Sequence, residues 1–147
     1  MVEPPGDRIL VTGALGQIGT ELVSELRKKH GNDTVLATDI REPDNDRCFP
    51  EGPFCNLSVL DGEAMEKTVT DEGIGTVYHL AAILSATGEK NPELCHRVNV
   101  GGTVTVLETA RDFGLKVFVP SSIAVFGPDS PRAVSYTHLT LPTIAKV

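Results

Sequence analysis

The sequence predicts an α/β domain with a doubly wound parallel sheet, and three observations lead to this prediction. Short apolar runs alternate along the chain with segments of helical periodicity. The first run, from Ile9 to Val11, leads into three glycines spaced by three residues, Gly13, Gly16 and Gly19. A helical pattern follows, and a second apolar run then ends in Asp39. This order is that of a parallel βαβ unit, and 147 residues are enough for one domain built on it.

The remaining apolar runs extend the same alternation. Ile18, Leu22 and Leu26 recur at a spacing of four and predict the inward face of the first helix, which ends at Gly31. A second helix begins at Asp61 as its N-cap and stops at Gly73. Five parallel strands in the order 3-2-1-4-5 are therefore expected. The strands after the first are predicted at Thr34 to Asp39, Pro53 to Leu57, Thr76 to Ala82 and Lys116 to Pro120.

A third helix is predicted from Pro92 to Phe113, although its middle resembles a hairpin with a Gly-Gly turn. Apolar or small residues recur at a spacing of four over the longer window, and Asn91 is a good N-cap. The two interior glycines destabilise such a helix by about 1 kcal/mol each relative to alanine. We therefore expect a packing reason for them, such as close approach to the sheet or to a cofactor.

Bulk properties exclude several classes of protein. A net charge of −7 and the absence of a basic run argue against nucleic acid as a partner. No apolar stretch reaches membrane-spanning length, and the first residues resemble neither a signal peptide nor a transit peptide. Cys48, Cys55 and Cys95 form no CxxC pair, so we expect reduced thiols rather than a metal site or disulfides. These features predict an intracellular protein.

The glycine turn has the spacing of a Rossmann dinucleotide-binding site. Gly13 would allow the sharp exit from the strand, Gly16 the close approach of a pyrophosphate, and Gly19 tight packing of the helix. The phosphates would bind to free N–H groups at the helix N-terminus. Asp39 follows Gly19 by twenty residues, the spacing expected of a carboxylate that binds the adenosine ribose. The alternative is a plain βαβ unit without a ligand.

Other candidate residues each have two interpretations. Asn56 is either an adenine contact or a turn-forming residue at a strand end. His79 has no second metal ligand at a suitable spacing, so we interpret it as a core or supporting histidine. Ser121 and Ser122 either carry chemistry at the end of a central strand or satisfy backbone groups there.

Four motifs together resemble the extended short-chain dehydrogenase/reductase superfamily. They are the three glycines, His79-Leu-Ala-Ala82, Asn99-Val-x-Gly-Thr103 and Ser121-Ser-x-x-Val-Phe-Gly127. Within it, residues 81–86 and 120–131 are similar to L-threonine 3-dehydrogenases of the epimerase-like type. UDP-sugar 4-epimerases share the general pattern, but they usually carry Tyr where this chain has Phe126. The resemblance covers residues 8–131.

The resemblance implies NAD as cofactor and a small-molecule substrate, with L-threonine oxidised to 2-amino-3-ketobutyrate by the full-length parent. The parent would be a homodimer and, in a eukaryote, mitochondrial. Ser122 would be the catalytic serine, Ser85 and Ser121 would contact the substrate, and Asn99 would steady the active-site backbone. The implied cofactor contacts are Gly13, Leu15, Gly16, Gln17, Ile18, Gly19, Asp39, Ile40, Arg41, Asn56, Leu57, Leu80, Ala81, Ala82 and Asn99. The alternatives are a sugar-nucleotide epimerase or dehydratase, and a non-catalytic NAD-binding fragment.

The chain departs from the superfamily in its last part. The family mechanism uses a Tyr with a Lys four residues later, whereas Tyr78 and Tyr136 are followed at that distance by Ala82 and Thr140. Residues 134–143 resemble a translated sequencing adapter. We therefore expect an NAD-binding portion over residues 1–133, a foreign or disordered tail over 134–147, and no substrate domain. The fifth strand would then be an exposed, aggregation-prone edge.

Overall fold

The computed structural model describes residues 6–43, 52–84 and 88–121, together with the backbone of 144–146. Five strands are parallel, and a sixth closes one edge of the sheet. The strands are β1 Arg8–Thr12, β2 Val35–Asp39, β3 Phe54–Asn56, β4 Ile74–His79, β5 Lys116–Phe118 and β6 Ile144–Lys146. The helices are α1 Gln17–His30, α2 Gly62–Asp71, α3 Pro92–His96 and α4 Gly102–Phe113, with a 3₁₀ turn at Asn32–Thr34 and a π-helical segment at Arg97–Gly101.

The sheet order is β3-β2-β1-β4-β5-β6, so the predicted parallel order of the first five strands is confirmed. The predicted exposed edge at β5 is wrong, because β6 pairs antiparallel with it from Lys116↔Lys146 to Phe118↔Ile144. The strand bounds also differ from the predictions. β4 begins at Ile74 and ends at His79, and β5 stops two residues before Pro120.

The sheet separates two apolar layers. Ile9 and Val11 of β1 pack on the α1 side with Val23, whereas Leu10 points to the opposite layer. That second layer contains Met65 of α2 together with residues of α4. Alternate residues of a strand point to opposite faces, so a continuous apolar run is what a strand covered on both faces requires. The predicted double winding is present.

The helix ends follow the predicted signals. Gly31 and Gly114 have positive φ values of 95° and 68°, and the Gly31 N–H bonds to Arg27 O. The carboxylate of Asp61 accepts a hydrogen bond from Ala64 N at 3.0 Å, and Asn91 Oδ1 accepts one from Leu94 N at 3.1 Å. Among the described residues, no helix is long and apolar enough to cross a membrane.

The predicted helix from Pro92 to Phe113 is present as one helical run, but its centre is π-helical. Only one of its two interior glycines has a packing reason. A Cβ on Gly102 would lie 2.6 Å from Val59 Cγ2, whereas one on Gly101 would reach only ordinary contact with Leu60 at 3.7 Å. The close approach of Gly102 is therefore to the segment after β3, and not to a strand.

Candidate functional site

The turn between β1 and α1 is shaped by Gly13. Its φ is +67°, and a Cβ there would lie 2.6 Å from the backbone nitrogen of Ala81. Gly16 N donates a hydrogen bond to Gly13 O at 3.0 Å, which closes the turn immediately before the helix. The predicted sharp exit from the strand is therefore confirmed, and only glycine is tolerated at Gly13 without strain.

Gly19 brings α1 onto this turn. A Cβ on Gly19 would overlap the carbonyl oxygen of Gly13 and lie 2.8 Å from the Cα of Ala14. The close contact of α1 is therefore with the turn, whereas the glycine spacing predicted a close contact with strand β1. The first intrahelical bond is Thr20 N to Gly16 O at 3.0 Å, so the N–H groups of residues 17–19 precede the helical ladder. They form the kind of helix N-terminus that binds phosphate.

Asp39 is buried at the end of β2, and its carboxylate reaches the glycine turn. Oδ2 accepts hydrogen bonds from Leu15 N at 3.0 Å and from Arg41 Nη2 at 3.1 Å. Oδ1 accepts bonds from Arg41 N at 3.1 Å and Arg41 Nε at 3.0 Å. Burial by itself raises the pKa of a carboxyl, but the Arg41 and Leu15 donors and the Arg41 charge outweigh it, so the pKa of Asp39 is lowered.

Two large apolar side chains lie exposed, one in the first turn of α1 and one directly after Asp39. Ile18 and Ile40 each expose 69% of their surface. The helical spacing that placed Ile18 with the core face of α1 was therefore misleading, whereas a cofactor contact requires this exposure. Asn56 donates from Nδ2 to Ile40 O at 3.0 Å, so its amide supports the segment after β2. Leu57 is buried in the core, and its contact with adenine stays a prediction.

His79 is buried between two threonine hydroxyls. Its Nδ1 lies 2.8 Å from Thr12 Oγ1, and its Nε2 lies 3.3 Å from Thr103 Oγ1. Thr12 Oγ1 accepts from Leu80 N at 3.3 Å and from Ala81 N at 3.4 Å, which occupies both of its lone pairs. Its own proton is therefore left for Nδ1, and the imidazole proton is assigned to Nε2. Burial lowers the pKa of His79 to about 4, so the ring is neutral near pH 7. The predicted supporting histidine joins β1, β4 and α4.

Asn99 holds the chain beyond β4 by a reciprocal pair of hydrogen bonds. Its Oδ1 accepts from Ile83 N at 2.8 Å, and its Nδ2 donates to Ile83 O at 3.0 Å. The hydroxyl of Thr103 donates to Asn99 O at 2.7 Å, so Asn99 lies at the end of the His79 network. The resemblance gave Asn99 a steadying role, and this geometry supports it. The contact of Asn99 with the cofactor stays a prediction.

Asn99 also borders an open cavity of about 510 Å³. Of the described residues predicted for the site, it alone lines this cavity, which is therefore separate from the glycine turn. The other lining residues are Gly88, Glu89, Pro92, Cys95, His96 and Val100.

The remaining predicted site residues lie after β4 or after β5. Leu80 and Ala81 follow β4 against the turn, and Ala82 is exposed beside them. Ser121 is exposed after β5, while Ser85 and Ser122 lie outside the described residues.

Cys55 and Cys95 are free thiols, and the part of the chain that the structure describes contains no grouping of His, Cys, Asp or Glu able to hold a metal ion.

Sequence reasoning gave no role to Thr12 or Thr103, although both bond to His79. A signal was available, since Thr12 immediately precedes Gly13 and Thr103 lies four residues after Asn99. A hydroxyl at such a position indicates a supporting role only once its partner in the folded chain, here His79, is known.

These residues fit a dinucleotide. A helix N-terminus with three N–H groups outside the ladder, glycines that hold the turn against its neighbours, and a buried carboxylate meet at the carboxyl ends of β1 and β2. Ligands of open parallel sheets bind at this edge. Fold and site together define a dinucleotide-binding domain of the Rossmann type.

The chain belongs to the NAD dependent epimerase/dehydratase family, whose model matches residues 9–144. The cofactor of this family is NAD, which confirms the cofactor predicted from the glycine turn and Asp39.

Individual relatives cover most of this chain. An uncharacterized epimerase/dehydratase from Staphylococcus haemolyticus is 53% identical over 126 residues, which are 86% of this chain and 40% of that protein. A monomeric L-threonine 3-dehydrogenase from a metagenome database is 54% identical, with a TM-score of 0.75 over 86% of this chain and 42% of its own. A UDP-glucose 4-epimerase from Thermotoga maritima is 28% identical, with a TM-score of 0.67 over 76% of this chain and 36% of its own. The chain thus spans about two fifths of the length of these relatives.

Proposed function

We propose that this chain is the NAD-binding portion of an oxidoreductase that oxidises the 3-hydroxyl of L-threonine to give 2-amino-3-ketobutyrate. The observation that carries this proposal is the difference in similarity between two solved relatives. The L-threonine 3-dehydrogenase is 54% identical to this chain, whereas the UDP-glucose 4-epimerase is 28% identical over a smaller part of it. Both relatives share the fold, so the higher identity is what favours the dehydrogenase.

The residues of the first βαβ unit would hold the cofactor. The N–H groups of residues 17–19 would bind the pyrophosphate, and the carboxylate of Asp39 would accept hydrogen bonds from the ribose hydroxyls. A 2′-phosphate would instead meet this carboxylate, which has a lowered pKa and stays ionised at neutral pH. NAD is therefore favoured over NADP.

The reaction needs groups beyond those of the βαβ unit. NAD, when bound, supplies the hydride acceptor. Ser122 would hydrogen-bond the reacting hydroxyl, but polarisation alone gives its proton no acceptor. A positioned base contributes about 10²- to 10⁴-fold, and neither Tyr78 nor Tyr136 has the Lys that would make it one. We expect the 147-residue chain to bind NAD and to leave threonine unchanged.

Two alternatives have specific consequences. A sugar-nucleotide epimerase or dehydratase would retain its cofactor and return the hydride, so isolated protein would carry tightly held NAD. A non-catalytic NAD-binding fragment would bind NAD and stay inactive in any longer protein. The homodimer implied by the resemblance also stays a proposal, and the metagenome relative is itself described as monomeric.

The test is a chimera that joins residues 1–133 to the C-terminal remainder of the metagenome L-threonine 3-dehydrogenase. We expect threonine-dependent absorbance of NADH from the chimera and none from the 147-residue chain. Ser122→Ala in the chimera should reduce the rate, whereas Ser24→Ala, in the third turn of α1, serves as the matched control. A chimera that ignores threonine but epimerises UDP-glucose would contradict the proposal, as would threonine turnover by the 147-residue chain.

A further inference from the structure

The carboxylate of Asp39 is fully occupied by protein donors. It accepts hydrogen bonds from the N–H groups of Leu15 and Arg41 and from Nε and Nη2 of the Arg41 side chain, all at 3.0–3.1 Å. Two of these bonds end on each oxygen. An ionised carboxylate offers about four acceptor positions, so a further donor must replace one that is present.

The four donors differ in how easily they can be replaced. The backbone N–H groups are fixed by the glycine turn and by the end of β2. The Arg41 side chain is 61% exposed, whereas that of Asp39 is 5% exposed. The exposed guanidinium regains water when it leaves, and two ribose hydroxyls would replace its two hydrogen bonds to the buried carboxylate. The guanidinium is therefore the donor that can leave.

We propose that the Arg41 side chain competes with the cofactor ribose for Asp39 and thereby determines how strongly the site distinguishes NAD from NADP. The inference rests on the proposed placement of the ribose at Asp39. A ribose diol has two hydroxyl donors, which equals the number of bonds that the Arg41 side chain makes. Binding of NAD then exchanges two hydrogen bonds for two others, and its gain in free energy is smaller than the new contacts suggest.

The displaced guanidinium has a second effect. Arg41 lies two residues from Asp39, so its side chain stays next to the ribose after it leaves the carboxylate. A planar guanidinium binds phosphate oxygens well. It offsets part of the repulsion between a 2′-phosphate and Asp39, and so it supports residual NADP binding. One side chain thus weakens NAD binding and strengthens NADP binding.

Calorimetric titration of the 147-residue chain with NAD and with NADP tests this exchange. In Arg41→Met the dissociation constant for NAD should fall about two- to fivefold, and that for NADP should rise about tenfold. Arg111→Met is the matched control, since Arg111 is another exposed arginine, paired with Asp112 near the end of α4. It should change neither constant. A weaker affinity of Arg41→Met for NAD, or an unchanged ratio of the two constants, overturns the inference.

Two further measurements separate this inference from the proposed function. If Asp39→Ala loses NAD binding while Arg41→Met has the same dissociation constants as the unsubstituted 147-residue chain, the ribose site stands and the exchange is wrong. If the unsubstituted 147-residue chain binds neither NAD nor NADP, the proposed function fails and the inference fails with it. The Arg41 Nε–H resonance in NMR spectra gives an independent readout. It should shift on addition of NAD, and an unchanged resonance at saturation overturns the exchange.

Discussion

Replacement of His79 should remove an acid sensitivity that the fold itself creates. The imidazole is 3% exposed, and both of its ring nitrogens lie within hydrogen-bond distance of threonine hydroxyls. A proton added to Nδ1 would meet the hydroxyl proton of Thr12, because that hydroxyl already accepts from Leu80 N and Ala81 N. The fold therefore accommodates only the neutral ring without rearrangement.

The magnitude follows from the pKa of His79, which burial lowers from 6.5 to about 4. Between these values the unfolded chain binds more protons than the folded chain, so acidification destabilises the fold. The contribution is fully present above pH 6.5 and is lost as the pH falls toward 4. At about 1.36 kcal/mol per pKa unit the whole effect is about 3 kcal/mol, of which about 2 kcal/mol falls between pH 7 and pH 5.

Urea denaturation at pH 7 and pH 5, followed by circular dichroism, measures this loss. His79→Gln keeps an amide N–H for Thr103 but cannot titrate, so the difference between the two pH values should shrink by about 2 kcal/mol. His30→Gln, which replaces an exposed histidine, is the matched control and should retain the difference. The window lies above the titration of Asp39, whose pKa is lowered from 3.8.

An NMR titration of the His79 ring provides a check that does not depend on how stable the variant is. A midpoint near 6.5 in the folded chain would refute the reasoning, and so would an acid sensitivity that persists in His79→Gln. The same spectra assign the tautomer, and a proton on Nδ1 in place of Nε2 would refute the hydrogen-bond pattern.

Three substitutions test the local geometry through the free energy of unfolding in urea. Gly19→Ala should lose about 1–3 kcal/mol and weaken NAD binding, because a Cβ there overlaps the turn; Gly16→Ala, whose Cβ would lie 3.2 Å from the nearest atom, should lose less, and equal losses would contradict the packing. Asn99→Leu should lose about 1–3 kcal/mol by leaving Ile83 N–H and C=O without the amide, and a neutral change would count against the clamp. Asp61→Ala should lose about 1 kcal/mol with its N-cap, and no loss would show that the cap contributes nothing.

The sheet order and the helix ends were predictable because local chemistry determines them. A strand, a glycine turn and a helix leave few topologies once right-handed parallel crossovers are required. Asp61 and Asn91 cap helices with their own side chains, so residue type and position suffice to predict them. The spacing predicted a role for Asp39 in binding the ribose, but it did not predict the contact of Asp39 with the glycine turn through Leu15 N.

The inward face of α1 was misjudged for a geometric reason. A step of four residues advances about 40° beyond a full helical turn, so Ile18 lies about 80° away from Leu26. The buried face instead includes Gly19, Val23 and Leu26. Arg27 is also buried on this helix, where its guanidinium donates to backbone carbonyl oxygens of other segments. The sequence alone indicates only a basic residue in the last turn of a helix, because the partners of Arg27 lie on other segments.

Three further features depend on tertiary contacts. The π-helical segment at Arg97–Gly101 has no local signature, and its Asn99 side chain finds a partner in Ile83, sixteen residues away. The pairing of β6 with β5 joins segments of unrelated pattern, which periodicity cannot match. The hydrogen bonds of Arg41 to Asp39 require a particular side-chain rotamer, and sequence spacing alone does not select one.

Binding of NAD at the turn between β1 and α1 is tested most directly by amide NMR of the 15N-labelled 147-residue chain during titration with NAD. We predict that the largest saturable shifts fall on the N–H groups of Gln17, Ile18 and Gly19 and on that of Arg41. These N–H groups are the ones that would face the pyrophosphate and border the ribose. Shifts confined to the cavity beside Asn99, or no saturable shift at millimolar NAD, would contradict a dinucleotide site at the glycine turn.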